Sequence, residues 1–266
     1  MNRPPPPPSP RALPRRDRFA VVAALAGVTA LAWAYLYGLA RQMDAMPDAA
    51  TMLQMHSWSG LDFALTFAMW AVMMVGMMVP SAAPMTLIYA AVARKAARQG
   101  TPLAPTVVFV SGYVAMWCAF SLGATCAQWA LDRAALLSPL MAARSPGLGA
   151  GLLIAAGLYQ LTSFKEACLR HCRAPAHFIA ERWRPGTGGA FRMGLEHGGY
   201  CLGCCWVLMG LLFVGGVMNL LWIAAITVFV LLEKLLPAGV GGGRLAGAAM
   251  VAGGVALLAL ARSGGA

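Results

Sequence analysis

One short stretch concentrates side chains able to hold a soft metal. Residues 194–206 read GLEHGGYCLGCCW and place His197, Cys201, Cys204 and Cys205 where a long apolar run begins. On a helix each residue advances by about 100°, so these four fall within an arc of roughly 100° on one face. Thiolate and imidazole are the side chains that best hold Zn(II) and Cu(I). One cysteine in such a run packs as a small hydrophobe; three beside a histidine at helical spacing point to a metal or redox role. A second cluster, FKEACLRHCRAP, carries Cys168, His171 and Cys172. If the preceding helix continues through it, these three also share a face of about 100°, and Pro175 then ends the helix. The order CxxHC is not the CxxCH of haem attachment. The bland alternative for this cluster is a solvated basic segment.

A third stretch, MWAVMMVGMMVPSAAPM, is dense in methionine. Met69, Met73 and Met77 recur every four residues and form one helical stripe; Met74 and Met78 form its neighbour. Thioether sulfur is a neutral soft donor that suits Cu(I) even in lipid. The competing explanation is packing, since methionine is a flexible apolar filler. Zn(II) prefers a closed set of nitrogen, thiolate and oxygen ligands, with little use for methionine. The stripe therefore discriminates between the two metals. Pro80 and Pro84 interrupt the backbone hydrogen bonding and are expected to bend or break this helix. Met43, Met46, Met52, Met55 and His56 gather in the loop before it and form a weaker candidate for copper capture.

These residues sit in a membrane-like composition. Of 266 residues, 60% are hydrophobic and 11% charged, and the mean hydropathy is +0.69. Apolar runs of about 20 residues recur, as transmembrane helices require. No alternating pattern repeats as barrel strands would. The net charge of +11 does not indicate nucleic acid, because the basic residues cluster between apolar runs, as the positive-inside rule describes. The seven cysteines are odd in number and unevenly placed, unlike a secreted disulfide framework.

The expected fold class is all-α, a polytopic membrane helix bundle of about seven transmembrane helices with a cytoplasmic N-terminus. Residues 1–18 read as a disordered, proline-rich basic tail. Residues 19–266 read as a single transmembrane helical domain with a metal-site loop over 165–198. The first span, 19–40, is long enough to cross and shows no small-residue cleavage site, so it is expected to stay uncleaved. Further spans are expected over 61–93, 103–130, 147–164 and 245–261. The apolar run 199–232 is too long for one span, and Gly215, Gly216 and Asn219 offer a turn within it. Glycine and alanine in 147–164 permit close helix contacts. The tail, the basic loop after 93, the 165–192 connection and the link from Lys234 to Arg244 then all fall inside. Both Cys/His clusters lie at cytoplasmic ends of neighbouring spans and can face each other. Reduced cytosolic thiols suit metal binding better than a stable disulfide.

At these residues the chain resembles the bacterial DUF2182 group of predicted metal-binding integral membrane proteins, often labelled copper chaperones. The matching segments are MWAVMMVGMMVPSAAPM (69–85), YQLTSFKEACLRHCRAP (159–175) and the long stretch 194–234 that opens with GLEHGGYCLGCCW. Together they cover most of the chain between 61 and 234. Ser163 stands where the family more usually has proline, a change that touches no candidate ligand. The resemblance implies metal binding and copper delivery, without a defined reaction.

The expected function is a membrane protein that binds Cu(I), with Zn(II) as the alternative, for copper delivery or transport. Met69, Met73, Met74, Met77 and Met78 would form a soft intramembrane path. Cys168, His171, Cys172, His197, Cys201, Cys204 and Cys205 would form the cytoplasmic donor or acceptor site. Two or three sulfurs suffice for Cu(I), so not all of them need bind. Two rivals remain. Cys201 and Cys204 make a CxxC pair that can cycle as a thiol–disulfide oxidoreductase. Alternatively, a non-transporting helper would load a copper enzyme from the same site. No GxxxxGK[ST] loop occurs, so ATP-driven pumping within this chain is not indicated. Glu196 and Glu233 are isolated carboxylates, and metal binding rather than catalysis is the expectation; Glu196 can orient His197 or simply be solvated. The expected surroundings are the lipid bilayer of a bacterial inner membrane and a soluble or membrane copper-protein partner, with no nucleic acid.

Overall fold

Apolar runs far longer than a soluble domain needs dictate the architecture. The computed structural model describes residues 13–44, 58–100, 104–138, 141–236 and 241–263. The proline tail up to residue 12, and the loop residues Met46, Met52, Met55 and His56, lie outside them. The described chain forms helices α1 Arg15–Asp44, α2 Gly60–Arg98, α3 Thr106–Arg133, α4 Pro146–Gln160, α5 Ser163–Arg173, α6 Pro175–Glu181, α7 Gly186–Gly210, α8 Leu212–Gly215, α9 Leu220–Leu235 and α10 Gly241–Ser263. Outside the helices the described residues contain one isolated bridge, between Leu137 and Ala143.

Local chemistry sets the helix ends. Ser59 and Asp62 close a capping box at the start of α2, the reciprocal arrangement that satisfies two orphan N–H groups. Ser145, Thr162 and Asn219 cap α4, α5 and α9 through their side-chain oxygens. Asn219 also donates to the Gly215 carbonyl. With Gly216 at φ 93°, it forms the turn anticipated within the apolar run. The Thr162 cap starts a new helix, so α5 does not continue α4: the two are bent by 65°. Pro175 occupies the first turn of α6, just after α5 ends.

The helical membrane class is correct, but the count of seven spans is not reached. Among the described residues five helices are long and apolar enough to cross a membrane, or six if the bent pair α4–α5 is one span. α9 has 16 residues, short of the ~20 a straight span requires. The connection 165–198 consists of α5, α6 and the first half of α7. Apolar side chains such as Leu31, Val107, Leu221 and Leu245 point outward and are heavily exposed, an outer surface suited to hydrocarbon rather than water.

Ion pairs and hydrogen bonds fix which helix ends lie together. Arg94 at the end of α2 pairs with Asp17 at the start of α1, at 3.0 Å. Trp58 before α2 donates to Asp132 at the end of α3, at 2.7 Å. α2 is central, packed against α1, α3 and α9, while α3 and α5 both pack on α7 and α10 covers α4. Pro80 and Pro84 do not break α2. Pro80 cannot donate to the Gly76 carbonyl one turn earlier, and the Trp33 indole of α1 donates to that oxygen instead, at 3.3 Å. Such neighbouring donors are what allow proline inside a membrane helix.

Candidate metal centre

α7 passes unbroken through His197, Cys201, Cys204 and Cys205 and buries all four. They belong to the packing face that α7 turns toward α2, α3 and α5. The Cys204 and Cys205 thiols both donate to the Cys201 carbonyl, at 3.0 Å. From α5, Cys172 is partly buried and packs against the cluster that holds Cys201 and Cys204. Cys168 abuts Gly203: a Cβ built there would come within 2.8 Å of the Cys168 sulfur. The two cysteine clusters therefore meet across the α5–α7 contact.

The methionine stripe enters the same place. Met69, Met73, Met74, Met77 and Met78 are all buried in one cluster with Cys201, Cys204 and Cys205. Met78 makes the closest approach, its Sδ 4.0 Å from Cys205 Sγ. Met69, Met73, Met74 and Met77 continue along α2 away from the cysteines.

Both candidate histidines, His171 and His197, are engaged with aromatic rings. His197 lies among Phe109, Tyr113 and Phe178, with ring centroids 5.6 to 6.2 Å away. Its Nδ1 is buried without a hydrogen-bond partner among the described residues. His171 stacks on Tyr200 at 4.1 Å and its Nδ1–H donates to the Ala167 carbonyl at 2.9 Å. Glu196 does not orient His197; it pairs with Arg184 at 2.9 Å and Arg192 at 3.4 Å.

Three polar groups at the sulfur cluster have no counterpart among the candidates read from sequence. Lys234 of α9 is buried, with Nζ 2.8 Å from Cys201 Sγ and 3.1 Å from Ser81 Oγ. Tyr113 of α3 places its hydroxyl 3.0 Å from both Cys201 Sγ and the Met78 carbonyl. With one proton it donates to one of them at a time. Ser81 donates to the Met78 carbonyl at 2.8 Å. Met209 was also missed: it stands one turn beyond Cys205 on α7 and is fully buried in the sulfur-rich cluster. Among the described residues no three His, Cys, Asp or Glu side chains converge as an ion site. What converges is soft: paired thiols on one helix and a thioether on the next.

A family model described as PpoB2, copper chaperone, matches residues 67–257. The chain belongs to the PpoB2 copper chaperone family. The match spans the methionine stripe, both cysteine clusters and Lys234, so every group at the sulfur cluster lies within it. Comparison with curated proteins and with solved structures returned no match. Membership supports a copper-related role, and the donor set fits one: thiols and a thioether in an apolar interior suit Cu(I) better than harder ions.

Proposed function

We propose that this chain is a Cu(I)-carrying protein of the bacterial inner membrane, and that Cys201, Cys205 and Met78 hold the metal as cargo. The observation that carries this is the 4.0 Å separation of Cys205 Sγ and Met78 Sδ. Two metal–sulfur bonds of about 2.3 Å, meeting at a trigonal angle of about 120°, put their sulfurs about 4.0 Å apart. Cys201 sits one helical turn from Cys205 on the same face and supplies the third sulfur. Cys172, Cys204, Cys168, His171 and His197 surround this set as alternative donors for handing the ion on. Met69, Met73, Met74 and Met77 extend the soft lining along α2. The basic helix ends beside the cysteines face the cytoplasm under the positive-inside rule, where a soluble or membrane copper protein exchanges metal with the site.

Metal content of the reduced, detergent-purified protein tests this, beside the double variant C201S/C205S. The expected result is near-stoichiometric Cu(I) in the native protein and its loss in the variant. Zinc in place of copper would return the methionine stripe to packing. No metal, with thiols that oxidise in pairs, would favour the thiol–disulfide enzyme. Copper bound at the site but not moved across vesicles would favour the non-transporting helper.

Met78→Leu isolates the thioether. The swap nearly conserves volume, and such changes usually cost less than about 1.5 kcal/mol of stability. The variant is expected to fold normally and bind Cu(I) more weakly, as read by competition with a Cu(I) chelator. Unchanged Cu(I) affinity would remove Met78 from the ligand set.

A further inference from the structure

Lysine at the end of an apolar helix ordinarily extends its ammonium to the headgroups. Lys234 does the opposite. Its side chain turns into the bundle, is 6% exposed, and ends against Cys201 Sγ and Ser81 Oγ. An ammonium has only donors, so the sulfur and the hydroxyl oxygen accept. The carboxylate next to it in sequence, Glu233, is not its partner: Glu233 faces Lys165, Nζ to Oε2 2.7 Å. The positive charge of Lys234 is left facing the thiols.

Resting on the copper reading above, we infer that Lys234 is a built-in counter-cation that restricts the sulfur site to a monovalent soft metal. Charge balance carries the argument. When two thiols bind Cu(I), two protons leave and a complex of net charge −1 forms; the ammonium beside it brings the site to zero. When the same thiols bind Zn(II), two protons leave and the complex is neutral, so the ammonium remains as a net +1. Offsetting it takes a third thiolate, from Cys204 or from Cys172 packed against the same cluster, a further proton loss that Cu(I) does not require. An uncompensated charge inside an apolar bundle is costly. The discrimination acts against divalent ions even when they are as thiol-seeking as Zn(II). Without metal, the ammonium supplies the positive charge that the cluster otherwise takes from the ion.

The test compares Cu(I) and Zn(II) dissociation constants of the full chain in detergent, measured by chelator competition under reducing conditions, for the unaltered protein, K234M and K234R. K234M is expected to shift the Cu(I)-to-Zn(II) preference toward zinc by roughly tenfold or more, the scale of one unit charge at a few ångströms in a protein interior. K234R keeps the charge and is expected to keep the preference. If K234M is not recovered folded, K234Q takes its place, retaining a donor without the charge. A neutral variant with the unaltered preference overturns the inference while leaving copper binding intact. Failure of the unaltered protein to bind Cu(I) is a different result, and overturns the copper reading and this inference together.

Discussion

Glu233→Ala is expected to destabilise the bundle by about 3–5 kcal/mol, the range for removing one partner of a buried ion pair. Glu233 and Lys165 meet at 2.7 Å, with side-chain exposures of 11% and 4%. Gln160 joins them, donating to Glu233 Oε1 at 2.9 Å and accepting from the Lys165 ammonium. Loss of the carboxylate strands that ammonium at the junction of α4, α5 and α9. A cavity of about 80 Å³ opens beside the pair, and water entering it favours the lower part of the range. The conservative companion is K165M/E233Q, which removes both charges together. Replacing a whole buried pair by neutral groups is often close to neutral in stability, so the double variant is expected to recover most of the loss. Unfolding in mixed detergent, followed by tryptophan fluorescence, gives the comparison. Equal stability of E233A and the native protein would show that the pair is solvated and does not hold α5 in place. The consequence reaches the sulfur cluster, because α5 carries Cys168 and Cys172.

Much of this was legible in the sequence because lipid simplifies the code. Long apolar runs must be helices, since every backbone group has to be satisfied internally. The boundaries at Pro175 and Asn219 followed from residues whose local chemistry allows few alternatives. The run 199–232 was harder: α7 starts at Gly186, in a segment whose arginines resemble a loop, so the remaining apolar residues leave α9 too short for a straight span. The facing of the two cysteine clusters could be argued from topology, but the contact of Cys205 with Met78 could not. Helical periodicity gives a stripe's angle and never its height against a neighbour. Lys234 was hidden for a related reason. It continues the buried face of Ile223, Ile226, Thr227 and Val230, yet α9 is apolar all round, so nothing marks that face as the inner one. A lysine ending such a run then reads as an interface anchor. That Pro80 does not end α2 was likewise hidden, because the carbonyl it leaves without a donor is met by Trp33, a donor far away in the chain.

Gly194→Ala, a single added methyl, is expected to separate α3 from α7 and to cost about 3 kcal/mol or more, at or above the upper end of the usual overpacking range. A Cβ at Gly194 would stand 2.0 Å from the Phe109 carbonyl oxygen, and one at Gly112 would stand 2.1 Å from the Phe191 carbonyl oxygen. Each glycine thus admits the backbone of the opposite helix. A side chain can rotate away from an intruding methyl; a carbonyl within a helix moves only with its helix. Small residues at such crossings are how membrane helices approach closely where burial from water no longer drives them together. The two helices carry Tyr113 and Cys201, whose 3.0 Å contact depends on that approach, so G194A is expected to loosen the sulfur cluster as well as the fold. Gly210→Ala on the same helix is the control. A Cβ there meets nothing within 4 Å, and alanine favours a helix by up to ~1 kcal/mol over glycine. G210A should match or exceed the native protein in thermal stability in detergent, while G194A falls well below it with more readily alkylated thiols. If G194A proves as stable as G210A, with thiols equally protected, α3 and α7 do not meet backbone to backbone as described.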